Sequence, residues 1–213
     1  MPARQIKSRE RVKAHGEVFT PRPMVDQMLD LVQEELETGP DFVEKTFFEP
    51  AAGDGNFLVA ILQRKLRAIE KRYAPSAWTT QSLFALASIY GIEFLEDNHG
   101  AAQAVMLNEF VMFHSRAGNP CGRGSNLYRS AAILVERNVI CGNTLTGLDS
   151  RGEEIQFSWW SRVPNQPDFV QRNPFTLASL RGPSNMGMFD FTAYHRYAAC
   201  RIDHVYKELK ADG

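Results

Sequence analysis

Three short runs in this 213-residue chain carry side chains suited to holding a small polar ligand. The first is Phe47-Phe48-Glu49-Pro50-Ala51-Ala52-Gly53-Asp54-Gly55-Asn56-Phe57-Leu58. An apolar strand end runs through an acidic-proline turn into a Gly-x-Gly loop and the start of an amphipathic helix. Such a junction offers backbone N–H groups and a helix N-terminus to a polar ligand. The second run, Tyr90-Gly91-Ile92-Glu93, ends on a carboxylate that can accept hydrogen bonds from the vicinal hydroxyls of a ribose. The third, Ile140-Cys141-Gly142-Asn143-Thr144-Leu145, carries in Asn143 an amide that both donates and accepts, as reading an adenine edge requires. Singly, these are a tight turn, a surface acid and a helix cap. In this order, each at a strand end, they predict one crevice on the rim of a parallel sheet.

The loop narrows the ligand. A dinucleotide fingerprint needs a third glycine where this chain has Leu58, and a P-loop needs a Gly-Lys-Ser/Thr run that is absent here. What remains is a ligand with a carboxylate or amine near the loop and a ribose further along the sheet.

The elements that must position these groups follow from hydrophobic periodicity. Residues 16–22 read as a loop. Thr20 or Pro21 to Thr38 reads as a helix, with Pro23 in its first turn and an apolar stripe of Val25, Met28, Leu29, Val32 and Leu36. Thr46–Phe48 reads as a strand. Asn56 to about Tyr73 reads as a helix with Leu58, Ile61, Leu62, Leu66 and Ile69 inward, and Arg64, Lys65, Arg67, Lys71 and Arg72 outward. Ser88–Phe94, Asn138–Cys141 and Ile155–Trp160 read as further strands, with helices over Asp97–His114 and Leu127–Glu136. Residues 117–126 are a loop by composition. Asp168–Leu180 fits a strand followed by a turn or helix, and Phe191–Leu209 fits a closing helix with Tyr194, Tyr197, Ala198, Ile202 and Val205 on one face. The alternation predicts an α/β fold with a doubly wound sheet.

Composition is that of an ordinary folded chain, 44% hydrophobic and 23% charged. No apolar run is long enough to span a bilayer, and the N-terminus lacks the apolar core of a secretory signal. Cys121, Cys141 and Cys200 are widely spaced, a pattern that gives neither a disulfide framework nor a metal site and fits a reducing cytoplasm. A net charge of −1 provides no global attraction for nucleic acid. Arg4, Lys7, Arg9, Arg11 and Lys13 nevertheless crowd residues 1–15 into a basic arm that can track phosphates or remain a solvated terminus.

Over residues 12–146 the chain resembles S-adenosylmethionine-dependent amino (N6-adenine) DNA methyltransferases of the restriction-modification type. The segment Gly16-Glu-Val-Phe-Thr-Pro-Arg-Pro-Met-Val-Asp-Gln-Met28 looks like the lead-in to their first helix. Phe48–Leu58 looks like their cofactor loop, Tyr90–Glu93 like their ribose strand, and Ile140–Leu145 like the strand end near the cofactor's adenine. The resemblance implies a Rossmann-like sheet of the class I methyltransferase type in a single domain over 16–213. It implies S-adenosyl-L-methionine as cofactor, with Phe19, Thr20, Glu49, Pro50, Ala51, Gly53 and Gly55 around its methionine half. Glu93 would hold the ribose, Ile92 or Phe94 would pack on the adenine, and Asn143 would meet the adenine's amino group. The partner it implies is double-stranded DNA, entered by base flipping, with a possible specificity or restriction subunit.

The same family carries an Asn/Asp/Ser-Pro-Pro-Tyr/Phe run after its fourth strand. Two acceptors there localise the lone pair of the exocyclic amine, and the ring stacks on the flipped base. This chain has no Pro-Pro dipeptide. The nearest candidate is Asn173-Pro174-Phe175. If Ile155–Trp160 is the fourth strand, Ser158, Trp159 and Trp160 stand at that place instead. Asn173-Pro-Phe also reads as a helix cap, and the tryptophans as core anchors. Three functions stay open: an active DNA adenine-N6 methyltransferase, a cofactor-binding module or subunit without transfer, and a methyltransferase for RNA, protein or a small molecule. For the first, the basic arm and the loop around Arg123 and Arg129 would hold phosphates.

Overall fold

The computed structural model describes residues 7–180 and 197–207. Its central sheet has four strands in the order β1 (Phe47–Glu49), β2 (Ile89–Glu93), β3 (Val139–Asn143), β4 (Leu148–Asp149). The first three are parallel and β4 runs antiparallel to β3. Parallel neighbours need crossover connections, and helices supply them. Helices α3 (Asn56–Arg72) and α4 (Trp78–Ala87) link β1 to β2, and α5 (Glu96–Arg116) and α6 (Asn126–Asn138) link β2 to β3. Before β1 come α1 (Arg9–His15), α2 (Arg22–Asp30) and a π-helical turn, Glu34–Thr38. The chain is thus an α/β protein.

The two faces of the sheet are covered differently. Gly91 faces α3, and a Cβ there would come within 2.9 Å of Leu58 Cδ1. The alternation of a strand puts Gly142 on the other face, where a Cβ would meet Ile155 Cδ1 at 2.7 Å. That second face is covered by an antiparallel sheet of β5 (Gln156–Val163), β6 (Gln166–Thr176) and β7 (Cys200–Arg201). The Phe157 ring meets Phe48 and Tyr90 edge-on at 5.9 and 5.7 Å and stacks on Phe175 at 5.7 Å. The Tyr90 hydroxyl donates to the Ser158 carbonyl at 2.8 Å, so the two sheets are joined by a buried hydrogen bond as well as by rings.

Several expectations need correction. The helix expected over 20–38 is interrupted after Asp30. Leu29 and Leu36 are buried as expected, but Met28 is half exposed. Leu58, Ile61, Leu62, Leu66 and Ile69 of α3 all face inward, and so do Arg64 and Lys65, which periodicity placed outside. Arg64 reaches the Asp26 carbonyl, Asp30 and Glu37, tying α3 to α2 and the π-helical turn. Lys65 is fully buried, and its ammonium donates to the Val43 and Lys45 carbonyls and to Ser88 Oγ. Burial pushes its pKa well below the lysine range. Ile155–Trp160 does not extend the parallel sheet; most of it forms β5 of the second one. Of the expected closing helix, 191–196 (with Tyr194) and 208–209 lie outside the described residues. Cys200–Arg201 is a strand and Ile202–Lys207 a 3-10 turn. Among the described residues no helix is long and apolar enough to cross a membrane.

Candidate nucleoside-binding cleft

A cavity of about 460 Å³ opens where β1, β2 and β3 end, within the range of small-molecule sites. It is built by the loop after β1, the end of β2 and the turn after β3. The Ala52 N–H donates to the Ile92 carbonyl at 2.8 Å, and this holds the glycine loop over β2. Gly53 (φ +58°) then turns its N–H onto Glu93 Oε2 at 2.8 Å. Gly55 starts α3 at φ +94°, and a Cβ there would lie 2.9 Å from the Ala102 Cα of α5. Only glycine meets both demands, the left-handed backbone and the contact with a neighbouring main chain.

Glu93 is 7% exposed and its carboxylate is held on both sides. Oε2 takes Gly53 N–H, and Oε1 takes Leu95 N–H at 2.9 Å and Asn98 Nδ2 at 3.4 Å. A carboxylate oxygen has two acceptor sites, so Oε2 keeps one for a ligand hydroxyl. Asn143 closes the opposite wall. Its Oδ1 accepts from the Leu145 and Thr146 N–H groups at 2.9 and 3.3 Å, a local turn that uses both lone pairs. The group left to face a ligand is the Nδ2 donor, which suits a ring-nitrogen acceptor. The expected contact with an adenine amino group needs an acceptor that this Asn143 oxygen no longer offers. Thr144 Oγ1 donates to the Pro50 carbonyl at 2.5 Å and joins this turn to the first loop.

Of the residues expected around a cofactor, Phe19, Pro50, Ala51, Gly53, Glu93, Phe94 and Asn143 line the cavity. Thr20, Glu49 and Gly55 do not. Glu49 holds the turn by accepting Ala51 N–H at 3.0 Å, and burial pushes its carboxyl pKa up. Reading from sequence missed Glu17 and Asn98, which are 9% and 1% exposed and share the wall with Glu93. The Arg11 guanidinium, aided by Asn98, holds the Glu17 carboxyl below its usual range despite burial. Position alone carried a clue: Glu17 stands two residues before Phe19, and Asn98 lies in the first turn of α5.

The reactive candidates lie elsewhere. None of Ser158, Trp159, Trp160, Asn173, Pro174 and Phe175 lines the cleft. Asn173 and Pro174 sit within β6 opposite Trp159 and Ser158, not in a loop and not at a helix start. Phe175 is 4% exposed against Phe157. Ser158 Oγ accepts from Arg172 Nε at 2.7 Å, and Trp160 Nε1 donates to Asn138 Oδ1 at 2.8 Å. Lys7 and Arg11 of the basic arm bond to Asp97, Asn98 and Glu17, while Arg4 lies outside the described residues. The Arg129 guanidinium lies 5.5 Å over the Tyr206 ring, and neither it nor Arg123 lines the cleft.

The cleft's free groups suit a small polar ligand that carries a hydroxyl donor and a ring-nitrogen acceptor. The cleft offers a buried carboxylate with a spare lone pair and an amide donor across from it, while the loop's Ala51, Ala52, Gly53 and Gly55 N–H groups are donated to Glu49, Ile92, Glu93 and Ala52. Between the loop glycines, Asp54 Oδ1 is buried without a hydrogen-bond partner, and Asp54 does not line the cavity. Among the described residues no group of three or more His, Cys, Asp or Glu is placed to hold a metal. Comparison with family models, with curated proteins and with solved structures gives no match to this chain.

Proposed function

We propose that this chain binds S-adenosyl-L-methionine in the cleft and is a methyltransferase of the class I, Rossmann-like type, acting on adenine N6 in DNA. The observation that carries the reading is the Gly53 N–H on Glu93, with Asn143 on the opposite wall of the same cavity. Glycine loop, ribose carboxylate and base-reading amide then stand in the order a nucleoside needs. When bound, the cofactor supplies an electrophilic methyl group on a sulfonium. The chain's own residues do the positioning. Glu93 orients the ribose through its spare lone pair, and Asn143 Nδ2 donates to a ring nitrogen. Val18, Phe94 and Leu145, exposed by 61, 57 and 88%, would lose that exposure against the ligand and exclude water.

A second reading is a cofactor-binding module whose acceptor-handling groups come from a partner subunit. The burial of Phe175 and the strand position of Asn173-Pro174 favour it. Calorimetry with S-adenosylmethionine, followed by transfer of labelled methyl to unmethylated duplex DNA, separates the two. The first reading expects binding and transfer, with binding weakened in Glu93→Gln. The second expects binding without transfer. Absence of binding by the unaltered chain overturns both.

A further inference from the structure

We propose that α1 is a latch over the cleft, and that Asn98 is the positioning residue that couples its closure to Glu93; the proposal rests on the nucleoside reading above. Helix α1 has two turns, too few to be stable alone in water. Ser8 caps its start and Gly16, at φ +66° with open space around it, ends it as a free joint. Ala14 and Gly16 line the cavity, so α1 is part of the wall a bound ligand would touch.

What holds α1 down is ionic. Lys7 Nζ lies 3.0 Å from Asp97 Oδ2, and Arg11 Nη2 lies 3.0 Å from Asp97 Oδ1. Arg11 also forks onto Glu17, at 2.6 Å through Nε and 2.8 Å through Nη2. The Asp97 side chain is 53% exposed, so its pairs are weak and sensitive to salt. The inner end is buried. Asn98 Nδ2 donates to Glu17 Oε1 at 2.6 Å and to Glu93 Oε1 at 3.4 Å, while its Oδ1 accepts from Lys7. A continuous path therefore runs from Lys7 and Arg11 through Glu17 and Asn98 to Glu93, and from Glu93 to Gly53. Lifting α1 strips Arg11 from a buried carboxylate, which is costly, so the closed latch and a well-placed Glu93 stabilise one another.

The test uses the full chain with S-adenosylhomocysteine, a ligand with no methyl to transfer. Stopped-flow dissociation and hydrogen exchange over residues 9–16 are followed together. Asp97→Asn, a surface change, is expected to speed release about 5–10-fold with little effect on association. It also raises α1 exchange and leaves the thermal midpoint in place. High salt mimics it in the unaltered chain and adds nothing in the variant. In an Asn98→Ser background, Asp97→Asn no longer changes affinity. Unchanged release in Asp97→Asn, or α1 exchange indifferent to ligand, overturns the latch alone. No binding by the unaltered chain overturns the nucleoside reading and the latch with it.

Discussion

The cleft and the β5–β6 hairpin use the same residue types for opposite ends. In the cleft, Glu93 keeps acceptor capacity and Asn143 keeps a donor, both beside an open cavity. In the hairpin, Ser158, Trp160 and Arg172 bond to described neighbours, and Phe175 is stacked away from solvent. An asparagine, a proline and an aromatic ring in sequence do not make a reactive site. What separates the two regions is unspent hydrogen-bonding capacity next to a space a ligand can enter.

Substitutions test this contrast directly. The largest effect is expected in the hairpin. Phe175→Ala empties a site packed by Phe157 and should cost about 3–5 kcal/mol in urea unfolding, with cofactor affinity of the folded protein unchanged. Its neighbour Asn173→Ala should change neither; loss of methyl transfer there, with binding intact, would move the reactive site into β6.

The next concerns a buried group outside both the cleft and the hairpin. His114 is fully buried between Ser82 and Asn119, and burial pulls its pKa from 6.5 to about 4. Folding therefore favours the neutral ring. The unfolded chain takes up a proton below pH 6.5 while the folded chain resists until about 4. Stability should fall by about 3 kcal/mol over that window, and melts of His114→Gln should show a flatter slope there.

Third, Glu93→Gln places an amide where Gly53 and Leu95 already donate. One donor must then face another. Calorimetry should show affinity for S-adenosylmethionine weakened by about 1.5–3 kcal/mol, roughly 10- to 100-fold. The smallest effect is expected at Asn143→Asp, which keeps the acceptor for the local turn but removes the Nδ2 donor. Adenosine affinity should drop by about 1 kcal/mol, and an unchanged value would remove Asn143 from base reading.

Much of this is legible in the sequence. The apolar spacing of Leu58, Ile61, Leu62, Leu66 and Ile69 identifies α3 and its buried face, and the glycine loop with Glu93 and Asn143 marks three of the cleft's walls. What was not legible has physical causes. Arg64 and Lys65 have long stems that periodicity counts as polar, yet the fold supplies buried acceptors for their heads. Helix α4 buries every residue from Ser82 to Ala87, so it shows no amphipathic contrast to detect. Glu17 and Asn98 are 81 residues apart and belong to no local motif; only folding brings them together. Ile155–Trp160 has the alternation of any strand, and alternation does not say which sheet a strand joins.

Lys65 gives the cleft its reference height. Its ammonium grips the two carbonyls before β1 and the hydroxyl before β2 from the middle of α3, and it also lies 5.1 Å from the Phe47 ring. A greasy side chain in that slot would let α3 slide along its axis, since apolar contacts have no preferred register to within an ångström. Three directed bonds do. The helix start at Gly55 is thereby indexed against the strand ends, much as a dowel sets one machined part against another, and the spacing between Gly53 and Glu93 is set from more than a turn away.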